Sequence, residues 1–90
     1  MALQKYRVVV EQGAAKFLKK IPKKDSDKIY EHIYSLGFDP HPQGSIKLKG
    51  SKDIYRLRYG NYRILYKVEN QQLAVYVIEI GGRKDVYKNL

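Results

Sequence analysis

The chain has 90 residues and carries 18 Lys plus Arg against nine Asp plus Glu, a formal net charge of +9. Hydrophobic residues make up 43% and charged residues 30%, the balance of a soluble globular chain, and at this length we expect one small domain over residues 1–90. The absence of cysteine excludes a disulfide scaffold, thiol catalysis and Cys-based zinc or iron–sulfur sites.

No apolar run approaches the roughly 20 residues that cross a bilayer. Charge also appears at Lys5, too early for the apolar region of a signal peptide. We therefore expect a cytoplasmic protein with no membrane partner. The positive surplus indicates a polyanionic partner, either nucleic acid or an acidic protein. An anionic membrane surface fits poorly, because the fold needs the large apolar residues of the lysine-rich segment.

The first half of the chain predicts a strand followed by two helices. The β-branched residues at 6–10 are typical of a strand. The first helix has apolar residues at helical spacing and ends near Pro22. For the second helix, Asp25 or Ser26 is the candidate N-cap and Gly37 is the candidate C-terminal stop. The apolar stripes are Ala14, Phe17, Leu18 and Ile21 in the first helix and Ile29, Ile33 and Leu36 in the second.

From Ile54 onward the apolar pattern has period two and predicts three strands, at 54–59, 62–68 and 73–80. Gly60-Asn61 is a short hairpin signal. The order βααβββ predicts an α+β fold, with two helices packed on one face of a mainly antiparallel sheet. The helix-covered face of the hairpin would carry Tyr55, Leu57, Tyr59, Tyr62, Ile64, Tyr66 and Val68.

The other face of the predicted hairpin gathers arginines. A two-residue loop at Gly60-Asn61 places Arg58 directly opposite Arg63, and Arg56 lies two residues further along the same face. Like charges directly opposite each other destabilise a sheet, so stability gives little reason to place them there. The plain interpretation is a set of solvated charges on a half-exposed sheet; the functional one is a phosphate-binding surface.

Other basic residues surround these arginines. Between residues 43 and 68 the only acid is Asp53, whereas an ordinary surface mixes both signs. The lysines of this window are candidate RNA contacts: Lys47, Lys49, Lys52 and Lys67. The six lysines from Lys16 to Lys28 are partly offset by acids and are typical of a solvated helix face, with a secondary phosphate-contacting patch as the alternative.

The tyrosines and histidines carry weaker signals. Most of the nine tyrosines fall at core positions, although Tyr76 points to the arginine face in the simplest register and Tyr87 has no periodic core role. His32 and His41 are acids or bases by residue type, but their spacing supports no metal site. We expect no cofactor, because Gly81-Gly82 is a turn signal and not a nucleotide-binding fingerprint.

The chain resembles the RelE toxins of the RelE/ParE superfamily, the toxin halves of type II toxin–antitoxin pairs. Four segments carry the resemblance: Lys47-Leu48-Lys49-Gly50, Tyr55-Arg56-Leu57-Arg58, Tyr62-Arg63-Ile64-Leu65-Tyr66 and Gly82-Arg83-Lys84-Asp85-Val86-Tyr87. RelE-type members are mRNA interferases, endoribonucleases that typically cut messenger RNA in the ribosomal A site. An antitoxin, often acidic, silences them. The resemblance implies catalytic roles for Arg56, Arg58, Arg63, Arg83 and Tyr87.

The resemblance also implies a metal-independent reaction, in which the RNA 2′-OH attacks the adjacent phosphate. Arg63 and Arg83 would stabilise the phosphorane, and Arg56 would help to hold the phosphate. Tyr87 or one of the lysines at 47, 49 and 52 would move the proton, and the sequence leaves that choice open. RelE relatives carry lysines where Arg56 and Arg58 stand, and many carry histidine at the position of Gly82.

Two other functions fit the same features. A ParE-like toxin that inhibits DNA gyrase would share the fold, although that branch generally lacks the basic set. A non-catalytic RNA-binding module would use the basic sheet for phosphate contacts alone.

Overall fold

The computed structural model describes residues 3–82, which form two helices and a five-stranded sheet. The helices are α1 (Gln12–Lys20) and α2 (Lys23–Ser35). The strands are β1 (Arg7–Val10), β2 (Ile46–Lys47), β3 (Ile54–Tyr59), β4 (Tyr62–Glu69) and β5 (Ala74–Gly82). No helix in this part of the chain is long and apolar enough to cross a membrane.

The sheet has the strand order β1-β5-β4-β3-β2. β1 pairs in parallel with β5, and all other neighbours are antiparallel, so the sheet is mixed and the predicted α+β class is confirmed. The short strand β2, where Ile46 pairs with Arg56, was not predicted, because two residues carry no period that a sequence pattern could reveal. β5 begins at Ala74 and not at 73, since Leu73 has φ +50 in the preceding turn.

The start of α2 differs from the predicted cap. Neither Asp25 nor Ser26 caps the helix; both lie inside it, and Pro22 is the N-cap. The Pro22 carbonyl accepts hydrogen bonds from the backbone N–H groups of Asp25 and Ser26, each at 3.0 Å. Proline at this position has no N–H to leave unsatisfied, so the backbone closes the first turn without a side-chain cap.

Gly37 follows the C-cap of α2, as predicted for a helix stop, but it lacks the left-handed conformation of a glycine cap. The helix ends at Ser35, and the Gly37 carbonyl accepts the backbone N–H groups of Lys5 and Tyr6 at 3.0 and 2.9 Å. A Cβ at this position would lie 3.0 Å from the Tyr6 carbonyl oxygen, so glycine is needed for the close approach of two chain segments.

Both helices pack on the predicted face of the sheet. Ala14, Leu18, Ile29, Ile33 and Leu36 of the two helical stripes are all buried. They form one core with Leu57, Ile64, Tyr66 and Val68 from β3 and β4 and with Val75, Val77 and Ile80 from β5. The helix-facing alternation predicted for the hairpin is therefore confirmed, and the arginines between those residues point to the other side of the sheet.

Candidate nucleic-acid interface

The hairpin between β3 and β4 places two arginines directly opposite each other. Gly60 has φ +56 and Asn61 is not in the left-handed region, the pattern of a two-residue type II′ turn. This turn fixes the register, so that Arg58 pairs with Arg63 as predicted. Arg56 follows on the same face, opposite Leu65. We call the side of the sheet that carries Arg56, Arg58 and Arg63 the arginine face.

Arg63 is the most enclosed member of the group. It is 6% exposed, whereas Arg58 is exposed and Arg56 is half-buried. Its Nη1 donates to the Tyr62 carbonyl at 3.5 Å, and its buried Nε has no hydrogen-bond partner among residues 3–82. Arginine stays protonated in proteins, so the side chain holds a positive charge where water screens it weakly. Such a group binds a phosphate oxygen more strongly than a solvated cation does.

A β-bulge extends the arginine face onto β5. Tyr66 pairs with Val77, whereas Leu65 pairs with Glu79, so Ile78 is the extra residue of β5. An unbroken ladder would place Ile78 opposite Leu65. The bulge instead brings the Glu79 carboxylate onto the arginine face, in one row with Leu65 and Arg56.

The same shift places Gly81 opposite Arg63. Gly81 has no side chain, so the residue opposite Arg63 on β5 adds no side chain to the arginine face. Sequence reasoning found Arg56, Arg58 and Arg63 but missed Glu79. The one signal in the sequence is the adjacent apolar pair Val77-Ile78, where the alternation shifts by one residue, and it does not by itself show which of the two is the extra residue.

The predicted RNA-contacting lysines are placed in three different surroundings. Lys67 lies on the arginine face, where its Nζ forms a 2.8 Å ion pair with Glu69 that raises the pKa of the lysine. Lys47 pairs with Tyr55 and therefore shares the helix-side face. Lys49 and Lys52 are exposed in the turns between β2 and β3. Of the four lysines, the structure brings only Lys67 into the face that holds the arginines.

Both histidines lie on the helix side of the sheet. The His32 ring is 5.4 Å from the Tyr59 ring, and the His41 ring is 4.7 Å from the Tyr55 ring, measured between centroids. Burial raises the pKa of Tyr66 to about 12, and its hydroxyl donates to the Pro40 carbonyl at 2.8 Å. All three groups lie on the helix side, so none of them is placed to exchange protons at the arginine face.

Tyr76 lies on the arginine face, as predicted, opposite Lys67. Its hydroxyl donates to Gln72 Oε1 at 2.9 Å and accepts from Arg7 Nη2 at 3.4 Å. The two remaining catalytic candidates, Arg83 and Tyr87, lie outside the described residues. Within residues 3–82 no group of three or more His, Asp or Glu side chains is arranged to hold a metal ion.

Comparison with known proteins relates the whole chain to bacterial and archaeal toxins. The sequence profile described as the ParE toxin of the type II toxin–antitoxin system parDE matches residues 6–87. A relative from Methanocaldococcus jannaschii, named as a candidate toxin RelE1, is 32% identical over 88 residues, which are 94% of this chain and 98% of the relative. An Escherichia coli relative named as a candidate RelE-like toxin is 32% identical over 87 residues, 92% of this chain and 90% of its own.

A solved structure agrees with these relatives. A chain in the crystal structure of the archaeal RelE–RelB complex from Pyrococcus horikoshii matches with a TM-score of 0.80 and 29% identity. The match covers 91% of this chain and 99% of that one. The profile is thus described as ParE, while the relatives and the solved complex are named RelE, and the solved chain shares the fold of this one.

Proposed function

The chain belongs to the ParE toxin family of type II toxin–antitoxin systems and is RelE-like, and on this basis we propose that it is an mRNA interferase. The proposed activity is endonucleolytic cleavage of translated mRNA, which stops translation and arrests growth. The proposal treats residues 1–90 as one toxin domain. Its substrate places the site of action in the cytoplasm.

The observation that carries the proposal is the pairing of Arg58 with Arg63 on one face of the sheet. Two cations placed directly opposite each other repel, and a phosphodiester bound between them relieves that repulsion. The planar guanidinium groups match the oxygens of a phosphate in a way that lysine does not. The enclosed Arg63, whose Nε has no partner within residues 3–82, supports a phosphate site at this point.

The arrangement suits cleavage in which RNA provides its own nucleophile. The 2′-oxygen forms a bond to phosphorus as the bond from phosphorus to the 5′-oxygen breaks. This leaves a 2′,3′-cyclic phosphate on one product and a 5′-OH on the other. Arg63 and Arg83 stabilise the additional negative charge of the phosphorane, while Arg56 and Arg58 hold the phosphate. Since the nucleophile comes from RNA and the charge stabilisation from arginine, the proposed reaction is metal-independent.

The two proton transfers require residues other than the arginines, which are poor proton shuttles. A base takes the proton of the 2′-OH, and an acid gives a proton to the departing 5′-oxygen. Tyr87 is our first candidate for one of these transfers, and Lys49 and Lys52 are the alternatives. Lys47 is set aside because it shares the helix-side face with Tyr55. Neither histidine takes part in the proposal, because both lie beside helix-side tyrosines.

The ribosome is the proposed source of substrate alignment. A nuclease without an ideal base gains most from a substrate held in line for attack. Positioning of this kind is worth roughly 7–11 kcal/mol in favourable cases. Lys49 and Lys52, exposed in the segment between β2 and β3, are our candidates for contacts with the phosphate backbone of the message.

The proposed protein partner is an antitoxin. A similar chain from Pyrococcus horikoshii was solved in complex with RelB. The net charge of +9 suits an acidic segment that wraps around the toxin and covers its basic surface. Co-expression with any small protein that is encoded beside this chain, followed by size-exclusion chromatography, tests the partnership.

Primer-extension mapping tests the proposed cleavage. A reporter mRNA is mapped after brief induction of the wild-type chain, of Arg63→Ala and of the matched control Lys24→Ala, which removes an exposed helix cation. Each induction is repeated with a reporter that cannot be translated. We expect cuts within translated codons for the wild type and Lys24→Ala, and none for Arg63→Ala. Full toxicity of both Arg63→Ala and Arg83→Ala would contradict the assignment of the site.

The description of the matching profile as ParE favours a second candidate, inhibition of DNA gyrase. This activity would require a protein-binding surface and no RNA cleavage. Growth arrest with cleaved DNA–gyrase complexes and an uncut reporter mRNA would select it. RNA binding that weakens steeply with salt, with neither cuts nor arrest, would select a non-catalytic RNA-binding module.

A further inference from the structure

A cavity of about 370 Å³ opens on the arginine face at a distance from the Arg58–Arg63 pair. Its lining residues come from β4, β5, the turn between them and the end of β1: Glu11, Lys67, Glu69, Gln72, Tyr76 and Ile78. The row of Lys67 and Tyr76 lies four residues along β3 and β4 from the row of Arg58 and Arg63, a distance of about 13 Å.

The β-bulge contributes one wall of the cavity. Ile78 is the residue that the bulge leaves without a partner on β4. Bulges re-aim side chains and are frequent beside functional sites. Ile78 and the ring of Tyr76 provide the apolar surface of the cavity, and the polar groups of Gln72 and Glu11 belong to the same lining. An aromatic ring for stacking beside side chains that can form hydrogen bonds suits a planar heterocycle.

The charges of the cavity do not favour a phosphate. Lys67 is already paired with Glu69 at 2.8 Å, and that pair is neutral overall. The Tyr76 hydroxyl is held by Gln72 and Arg7, which fixes the ring in place. The Glu11 side chain makes no ion pair or hydrogen bond with any other described residue. The cavity therefore presents a fixed aromatic ring, an amide and a carboxylate that has no partner within residues 3–82.

We propose that this cavity binds one nucleobase of the RNA whose phosphate lies on Arg58 and Arg63. The inference rests on the proposed function and adds a specificity pocket to it. Tyr76 stacks on the base, and Glu11 with Gln72 contacts its edge. A carboxylate accepts hydrogen bonds from the amino group of a base. Uracil has no amino group, and the two carbonyl oxygens that flank its N–H repel a carboxylate. The pocket therefore prefers an amino-bearing base over uracil.

Binding of short 2′-O-methyl RNA tests the inference, because such RNA lacks the attacking hydroxyl. Tetranucleotides that differ in one base are titrated into the full-length protein, and affinity is measured by fluorescence anisotropy. Removing one stacking platform weakens binding by about five- to a hundredfold. We expect a loss in this range for Tyr76→Ala and little change for Tyr76→Phe, which keeps the ring. Tyr30→Ala, an exposed tyrosine on α2, is the matched control and should bind as the wild type does.

The preference among bases is tested with Glu11→Gln. The wild type should bind a tetranucleotide with an amino-bearing base at the variable position more tightly than the one with uracil, and Glu11→Gln should lose that difference. Free mononucleotides should bind much more weakly than the tetranucleotides, since they lack the second contact at the arginines.

The outcomes separate the pocket from the proposed nuclease. If Arg58→Ala weakens binding but Tyr76→Ala does not, the pocket is wrong while RNA binding at the arginines stands. Equal affinity for tetranucleotides with each of the four bases would also overturn the proposed pocket. If no tetranucleotide binds to the wild type while the wild type still cuts the translated reporter mRNA, the pocket is wrong and the proposed nuclease stands. Circular dichroism of each variant shows that a loss of affinity is not a loss of fold.

Discussion

Arg58 and Arg63 are direct cross-strand partners in the antiparallel pair of β3 and β4, on the side of the sheet away from the helices. Opposed like charges cost a sheet a few tenths to about 1 kcal/mol. In the proposed function the pair is kept because it binds a phosphate. Stability and activity should therefore respond in opposite directions to changes at this pair.

Arg58→Thr tests this opposition directly. Threonine suits a strand position and removes the repulsion, so the free energy of unfolding should rise by up to about 1 kcal/mol in urea titrations. Growth arrest after induction should weaken in the same variant. Lys24→Ala removes one positive charge from α2 and should change neither property substantially. A destabilised Arg58→Thr protein would show that the pair is structural.

Arg63→Met tests the enclosed cation. Methionine fills a similar volume without a charge that must be desolvated, so we expect a free energy of unfolding equal to that of the wild type or higher by about 1 kcal/mol. Loss of a preorganised charge contact typically lowers a rate by about 10²–10³-fold, and cleavage in primer extension should fall accordingly. Normal cleavage by a folded Arg63→Met protein would remove Arg63 from the reaction.

Ionisation of Tyr66 should account for part of the loss of folding stability at alkaline pH. The pKa of Tyr66 is about 12 in the folded protein because the ring is buried, whereas an unfolded tyrosine ionises near 10. The folded pKa is the higher one, so this contribution to stability is complete below pH 10 and is lost as the pH rises toward 12. Urea titrations from pH 7 to pH 11.5 measure the loss.

The comparison variant is Tyr66→Phe. It leaves the Pro40 carbonyl without its 2.8 Å donor, so it should lower the free energy of unfolding at pH 7 by about 1–3 kcal/mol. The variant should also lose stability less steeply than the wild type above pH 10. Parallel alkaline slopes in the two proteins would assign that loss to other tyrosines.

Two glycine-to-alanine changes should have opposite signs. In Gly37→Ala the new Cβ would lie 3.0 Å from the Tyr6 carbonyl oxygen, so the two segments must separate, at a cost of about 1–3 kcal/mol. In Gly13→Ala the Cβ meets nothing within 4 Å inside α1, and the higher helix propensity of alanine should add up to about 1 kcal/mol. Thermal unfolding of both variants measures the difference, and equal shifts would contradict the role given to Gly37.

Local patterns were sufficient for most of the fold. The alternation in β3 and β4 identified the helix-facing residues, and the two-residue loop at Gly60-Asn61 fixed the register that pairs Arg58 with Arg63. Such inferences succeed because a hairpin register depends only on the turn and on the period of two. The prediction that Asp25 or Ser26 caps α2 was wrong, since the Pro22 carbonyl accepts the hydrogen bonds of the first helical turn.

The basic charge, the α+β order and the face on which three arginines gather all follow from the amino-acid sequence alone. Which residues from distant segments of the chain join that face depends on the tertiary structure. It paired β1 with β5, used the bulge at Ile78 to bring Glu79 into the row of Arg56, and enclosed Arg63 opposite Gly81. These features depend on contacts between strands far apart in the chain, where neither a turn nor a local period specifies the register.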